Sequence, residues 1–576
     1  MKTDWPPANA GGSDKTMSSI QFDVIVIGAG INGAGIARDA ALRGLKVLLL
    51  DKGDIGGGTS SWSTRLIHGG LRYLEHGEFG LVRESLRERE YLLKIAPHLV
   101  RPLPLLAPIY KHARRGVWTI RAGMIAYDAL SFDKTLPRHR MLSAAETLQR
   151  APGLRGDDLL GAAIYFDAQV EYAERLVLEN VLSAIEHGAV VMTYARVEKL
   201  IVADSKVRGI EFRRPGPGEV QGPQSKVQSR ANIVINAAGP WVDQLLCESG
   251  GDSPRLIGGT KGSHLIVAPF PGAPDSAIYV EAETDHRPFF IIPWNNKYLI
   301  GTTDSRYEGD LDHVRIDDEE IDYLLRETNR VIPMAELTRQ HILFTYSGVR
   351  PLPFTGDKDE ESITRKHFIR ADPRVENLFS IVGGKLTTYR SLAEQTVDLI
   401  LKKLARSSIE CATARESLPG ASGEGSIRAA RPGSPFEQPV LGGANDRGTV
   451  CDRWLRIYGT RASLIVDLLN EDASLAEVFD AETGAIAAEV VMAFKHELAQ
   501  TLADCLLRRT MVGLNSSCGL NAVEAAARIA QRFLGWSDSR AAEEVDAYRS
   551  EINRRFRVRT RIQARSAITA LPPDVR

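Results

Sequence analysis

The chain has 576 residues, too many for one hydrophobic core, so two or three domains are expected. With 43% hydrophobic and 25% charged residues it has the composition of an ordinary soluble globular protein, and a formal net charge of -1 gives no global field for nucleic acid. The five cysteines are odd in number and show no CxxC or other ligand spacing, which points to a reducing compartment without structural zinc.

Residues 1–20 are polar, contain Pro6, Pro7, Gly11 and Gly12, and lack an apolar core. They read as a disordered extension and not as a signal peptide. No apolar run approaches the roughly 18 residues that a bilayer crossing requires. The protein is expected in the cytosol, or on a membrane without spanning it.

A strand over 22–27 is followed by Gly28, Gly30 and Gly33 in G-x-G-x-x-G spacing, a helix over 31–42 and a strand over 46–50 that closes on Asp51. The glycines serve a tight turn, close backbone approach to a pyrophosphate, and packing of the helix on the strand; the acid suits a ribose. Next comes GDIGGGTSSWSTRLIHGGLRYLEHGEF, where Thr59, Ser60, Ser61 and Ser63 follow three glycines and lead to His68, Arg72 and Tyr73. Amides and hydroxyls of this kind line a second phosphate and a ring edge, more than an NAD-only fold needs.

From Tyr91 to Tyr127 there is no Asp or Glu, whereas Lys94, Arg101, Lys111, Arg114, Arg115 and Arg121 are interspersed with Trp118, Tyr110 and aliphatic residues. That mixture suits an interface with anionic headgroups, an ordinary basic loop being the alternative. Tyr194-Ala195-Arg196-Val197 leads a strand whose backbone can contact an adenine. ANIVINAAGPWV places Ala238 and Gly239 after a buried strand. NLFSIVGGKLTTYR ends a strand at Gly383 and Gly384 and starts a helix near Thr387, its positive end suited to a flavin oxygen. The Gly-, Ser- and Pro-rich stretch 412–442 reads as a linker, and 443–565 as a helical domain with helices over 454–469, 485–511 and 523–533.

In order, GAGINGAG, TSS-x-S-x-x-LIHGGLRYLE, NAAGPWV, KGSHLIV, IPW, IGTTD, TYSGVRPL, ITR and VGGKLTTYR resemble the FAD-dependent glycerol-3-phosphate dehydrogenases, respiratory flavoenzymes of the glycine/D-amino-acid-oxidase-like class. The resemblance runs from Phe22 to Arg390, and LADCLLRRTMVGL resembles the family's C-terminal cap. It implies an α/β fold: a Rossmann-like FAD-binding domain from about 22–90, 190–251 and 347–406, an antiparallel-sheet substrate domain from about 101–186 and 256–345, both within 21–411, and an α-helical cap or subunit contact in a homo-oligomer. FAD is then expected along Gly28, Gly30, Ile31, Asn32, Gly33, Asp51, Lys52, Thr59, Ser60, Ser63, His68, Gly69, Arg196, Val197, Ala238, Gly239, Gly384, Lys385, Leu386 and Thr387.

The implied activity is oxidation of sn-glycerol 3-phosphate to dihydroxyacetone phosphate, with electrons passed to quinone by a peripheral enzyme on the cytoplasmic side of the membrane. A phosphate dianion needs several cationic donors, and Arg72, Arg350, Arg365 and Lys385, with Tyr73, stand inside the motifs. Arginine stays protonated, so the base is sought among histidines: His264, with Arg350 polarising the oxygen, ahead of His68. Dioxygen in place of quinone, or a flavin-binding protein without enzymatic activity, are the alternatives.

Overall fold

In a computed structural model the described residues are 20–75, 77–111, 113–215, 224–248, 254–356, 363–422 and 450–556. The expected extension, apart from Ile20, and the expected linker beyond residue 422 lie outside them.

Gln21–Ile27 is buried from its second residue onward, as a β-branched run between two helical layers must be. It pairs in parallel with Val47–Leu50 on one side and Gln224–Asn236 on the other. Val190–Met192 and Leu378–Val382 extend the parallel set at either end, and Phe368–Ala371 closes one edge antiparallel. The helix Ile31–Leu42 begins and ends where the sequence reading puts it. Gly28 takes φ +106°, and a Cβ there would lie 2.6 Å from the Ala237 carbonyl oxygen; one on Gly33 would strike the Gly28 carbonyl at 1.8 Å. Both positions are therefore glycine for steric reasons.

A second, ten-stranded sheet carries the other half of the large region. It is antiparallel except where Ala277–Glu281 runs parallel to Val100–Tyr110. Three expected boundaries move. Leu66–Ile67, assigned to the FAD-binding part, pairs with Leu159–Val170 in this second sheet. Residues 347–350 belong to Ile342–Arg350, which pairs with Thr260–Val267. The helix Ala173–Glu186, assigned to the substrate part, packs Leu176, Val177 and Val181 against Ile36 and Ala40 in the first core. Each is a crossing between the two sheets, and hydrophobic pattern alone does not say which core a strand or helix joins.

The first part of the expected linker is packed. Leu418 is buried and donates its amide to Ile95, Gly420 donates to Glu179, and Arg390 bonds Thr413. The expected helix over 485–511 is broken: Ala487–His496 stops before the buried Glu497, and Thr501 caps a new turn that continues as a π-helix over Cys505–Arg509. Glu497, at the break, is held by Arg175 at 2.5 and 2.9 Å. The helix expected over 454–469 is likewise two, Val450–Tyr458 and Ser463–Glu471, joined by a 3-10 turn. Val523–Leu534 and Asp538–Arg555 complete the domain. Among the described residues no helix is long and apolar enough to cross a membrane.

Candidate active site

The two sheets and the C-terminal domain enclose a cavity of about 1000 Å³. Its floor is the glycine turn. A Cβ on Gly30 would meet only Ser60 Oγ, at 3.4 Å, so the backbone is open to close approach from the cavity. The Ile31 amide, first in its helix, donates to Ser60 Oγ at 3.0 Å. Asn32 Nδ2 donates to the Gly383 carbonyl at 3.3 Å, which draws the GGK turn onto the glycine turn.

Asp51 is already engaged: its carboxylate accepts the amides of Ala29 at 2.7 Å and Gly53 at 2.8 Å, fixing the loop at the strand end. Lys52 pairs with Asp312 at 2.8 Å and lies over the Trp241 ring. Thr59 donates to the Val349 carbonyl at 2.7 Å, and the Tyr346 hydroxyl to the Ser63 carbonyl at 2.9 Å. Arg196, Val197, Ala238, Gly239, Gly384, Leu386 and Thr387 also line the cavity. Gly33 and Gly69 stand behind its wall; a Cβ on Gly69 would meet the Tyr127 hydroxyl oxygen at 2.5 Å.

The residues present fit FAD. Gly30, Ile31 and Asn32 at the helix start line the cavity, Gly30 leaves the approach open, and Asn32 Oδ1 and Trp241 Nε1 are buried polar atoms without a partner on its lining.

At the other end of the cavity three cationic side chains converge. Arg350 Nη1 and Arg365 Nη2 both donate to Asp304, at 2.9 and 2.8 Å, and Arg287 donates to its carbonyl. Burial by itself raises the Asp304 pKa, but Arg350 and Arg365 outweigh it and hold the carboxyl below its ordinary value. Arg365 Nη1 is buried without a partner. Lys385 lies 3.7 Å from the Tyr73 ring centroid, and burial lowers its pKa. The Arg72 side chain lies outside the described residues; its backbone opens the short helix Arg72–Glu75.

The two histidines differ. His264 is buried between Thr64, which bonds its Nε2 at 2.9 Å, and the Tyr346 ring at 4.8 Å; its Nδ1 is sealed and unpartnered. Burial, then the charges of Arg350 and Arg65, push its pKa well below the usual histidine value. His68 sits beside the Thr387 end of the cavity, with its pKa pushed down to about 4 mainly by burial. In both rings burial favours the neutral form over the imidazolium.

Sequence reasoning passed over Thr64, Asp304 and the whole contribution of the C-terminal domain. Arg508, Glu544 and Tyr548 line the same cavity, and Arg509 binds Asp54 at 2.7 Å through two nitrogens. The one local signal was the pair of adjacent arginines in an apolar stretch, LADCLLRRT.

These features are matched by similarity to known proteins. The profile of the FAD dependent oxidoreductase family covers residues 23–399, and that of the C-terminal domain of alpha-glycerophosphate oxidase covers 411–541. The chain is 49% identical over 539 residues to a glycerol-3-phosphate dehydrogenase of Synechocystis sp., covering 92% of this chain and 95% of that one. It is 39% identical over 498 residues to one of Pseudomonas aeruginosa, covering 86% and 92%. The crystal structure of the Bacillus halodurans glycerol-3-phosphate dehydrogenase complexed with FAD superimposes with a TM-score of 0.74 at 28% identity, over 95% of this chain and 98% of that one. The chain belongs to the FAD-dependent glycerol-3-phosphate dehydrogenase family.

Proposed function

We propose that this protein oxidises sn-glycerol 3-phosphate to dihydroxyacetone phosphate and passes the electrons to a membrane quinone. The observation that carries the substrate is the cationic lining of the cavity, where Arg287, Arg350 and Arg365 gather at Asp304 and Lys385 lines the same space as the glycine turn. Cations in excess of the one Asp304 carboxylate suit a phosphate dianion, with Arg365 Nη1 as a donor still to be satisfied. An amino-acid substrate would need less positive charge.

Bound FAD supplies the acceptor for the hydride that leaves carbon 2. The protein's own part is to hold the phosphate, exclude water and take the hydroxyl proton. A neutral His264 suits the last task, with the Arg350 guanidinium nearby to polarise the oxygen. His68 is the second candidate, since it also lines the cavity in neutral form.

Quinone is favoured over dioxygen by the helix Val117–Leu130 and the turn after it. Trp118, Ile125 and Phe132 recur every seventh residue and are 78%, 55% and 78% exposed. Arg114 and Arg121 are exposed near them, Arg121 over the Trp118 ring. An apolar stripe flanked by basic residues suits a peripheral seat on anionic lipid, where quinone is found.

The test is anaerobic addition of glycerol 3-phosphate to the purified yellow protein. Bleaching of the visible flavin band is expected, followed by recovery on adding a short-chain quinone. A band indifferent to the phosphorylated polyol refutes the substrate; rapid recovery under air with stoichiometric peroxide refutes the quinone.

A further inference from the structure

We infer that Thr64 is a catalytic residue, the proton relay between the substrate hydroxyl and His264. This rests on the substrate reading above and adds the route the proton takes.

The imidazole of His264 has two nitrogens, and only one of them has a hydrogen-bond partner. Nδ1 is buried without a hydrogen-bond partner. Nε2 is bonded to Thr64 Oγ1 at 2.9 Å. A Cβ placed on Gly301 would lie 2.6 Å from the ring's Cδ2, so the ring edge packs against the neighbouring strand. Thr64 and His264 both line the cavity, and the threonine hydroxyl is the group bonded to the one imidazole nitrogen that has a partner.

A hydroxyl is both donor and acceptor, which a relay requires. With the proton of His264 on Nδ1, Nε2 accepts the Thr64 hydroxyl proton, and the free lone pairs of Oγ1 are left for the substrate hydroxyl. With bound FAD as the group that would accept the carbon 2 hydrogen and its two electrons as hydride, the substrate hydroxyl proton would move to Oγ1. The Thr64 proton moves to Nε2. The products are the ketone, a reduced cofactor and a protonated imidazole, with Thr64 unchanged.

Its position is fixed from both sides. The Ser63 carbonyl accepts the Tyr346 hydroxyl at 2.9 Å. Arg65 is fully buried, paired with Glu174 at 2.6 and 2.8 Å, and its Nη2 holds the Ser61 carbonyl at 3.2 Å. Arg65 also sits at φ +60°, a left-handed conformation uncommon for any residue but glycine. Strain beside a buried ion pair, one residue from the hydroxyl, is what preorganisation of Thr64 requires.

The experiment is anaerobic stopped-flow reduction of the holoenzyme, with T64V, T64S, H264N and T64V/H264N. T64V is expected to slow reduction on the order of a hundredfold, with T64S within a few-fold of wild type and the substrate concentration at half-saturation little changed. The double variant should be no slower than H264N, because the two residues move one proton as a unit. A T64V enzyme near the wild-type rate, or losses that multiply in the double variant, overturns the relay. Should T64V fail to retain FAD, a proton inventory on the wild-type enzyme decides instead: curvature is expected for two protons in flight, and a linear single-proton dependence overturns it. A wild-type enzyme that glycerol 3-phosphate does not bleach refutes the substrate reading and not the relay.

Discussion

Replacing Asp54 with Asn should loosen the cofactor loop from the C-terminal domain. Its carboxylate accepts two bonds from Arg509, both at 2.7 Å, and one from Arg508 Nε, and all three side chains are buried. Burial would raise the Asp54 pKa, but Arg509 and Arg508 outweigh it and hold the carboxyl below its ordinary value. Asn keeps the shape and removes the charge, leaving two buried guanidiniums with Asp504, 2.8 Å from Arg508, as the remaining carboxylate. Truncating one partner of a buried ion pair costs about 3–5 kcal/mol.

Asp504 softens the loss. Its own pKa is raised first by burial and then by the negative charge of Asp54, so removing that charge lets Asp504 ionise more readily and take up part of the load. The low end is therefore expected, about 3 kcal/mol or roughly a hundredfold in the equilibrium. The assay is urea titration of the holoprotein followed by flavin fluorescence, which rises when FAD leaves the loop that carries Thr59 and Ser60. D54N should release flavin at lower urea, and D54N/D504N should lose more than the sum of the single changes. A D54N transition within 0.5 kcal/mol of wild type, taken as about the limit of additivity, or strictly additive losses, would refute the network.

His264→Asn should cost on the order of 10²–10⁴ in the rate of flavin reduction; the acid limb of wild-type kcat/KM should lie well below pH 6.5, and a limb centred at that value would contradict the burial argument. Glu544 is pushed up to about 7 by burial and then by Asp504, so the folded state retains a proton that the unfolded chain releases. Its contribution is complete below pH 4.5 and lost as pH rises through 7, so Glu544→Gln should raise stability by up to about 3 kcal/mol at pH 8 and leave it unaltered at pH 4, as read by thermal melts at each pH. Arg114→Glu with Arg121→Glu should weaken binding to anionic vesicles, as should added salt; Arg115 is left alone because it is paired with Glu75 and Glu281. Vesicle binding that ignores both salt and charge reversal would remove the membrane seat.

What could be read from the sequence is what a short window holds. The glycine turn, its helix and the acid that closes the second strand lie within about thirty residues, and each signals itself through steric need: Gly28 and Gly33 admit no other side chain. The cationic residues Arg350, Arg365 and Lys385 were legible by charge inside motifs, but Asp304, the common partner of the two arginines, was not, because a carboxylate after two threonines reads as a solvated side chain until two guanidiniums are seen on it. Thr64 looked like one more hydroxyl in a loop rich in them; only its bond to a histidine 200 residues away sets it apart. Asp54 and Arg509 are 455 residues apart, and in GDIGGG the acid resembles turn chemistry, whose usual role is to bond its own backbone. Here it is spent on a neighbouring domain. The first part of the expected linker differs for the same reason, since Leu418 and Gly420, in a Pro- and Gly-containing stretch, dock on Ile95 and Glu179. Composition reports what a segment can do by itself, and a segment whose backbone is satisfied by distant partners carries no local trace of them. The site is therefore least legible where domains meet, which is also where Arg508 and Glu544 reach the cavity and where the C-terminal domain becomes one of its walls.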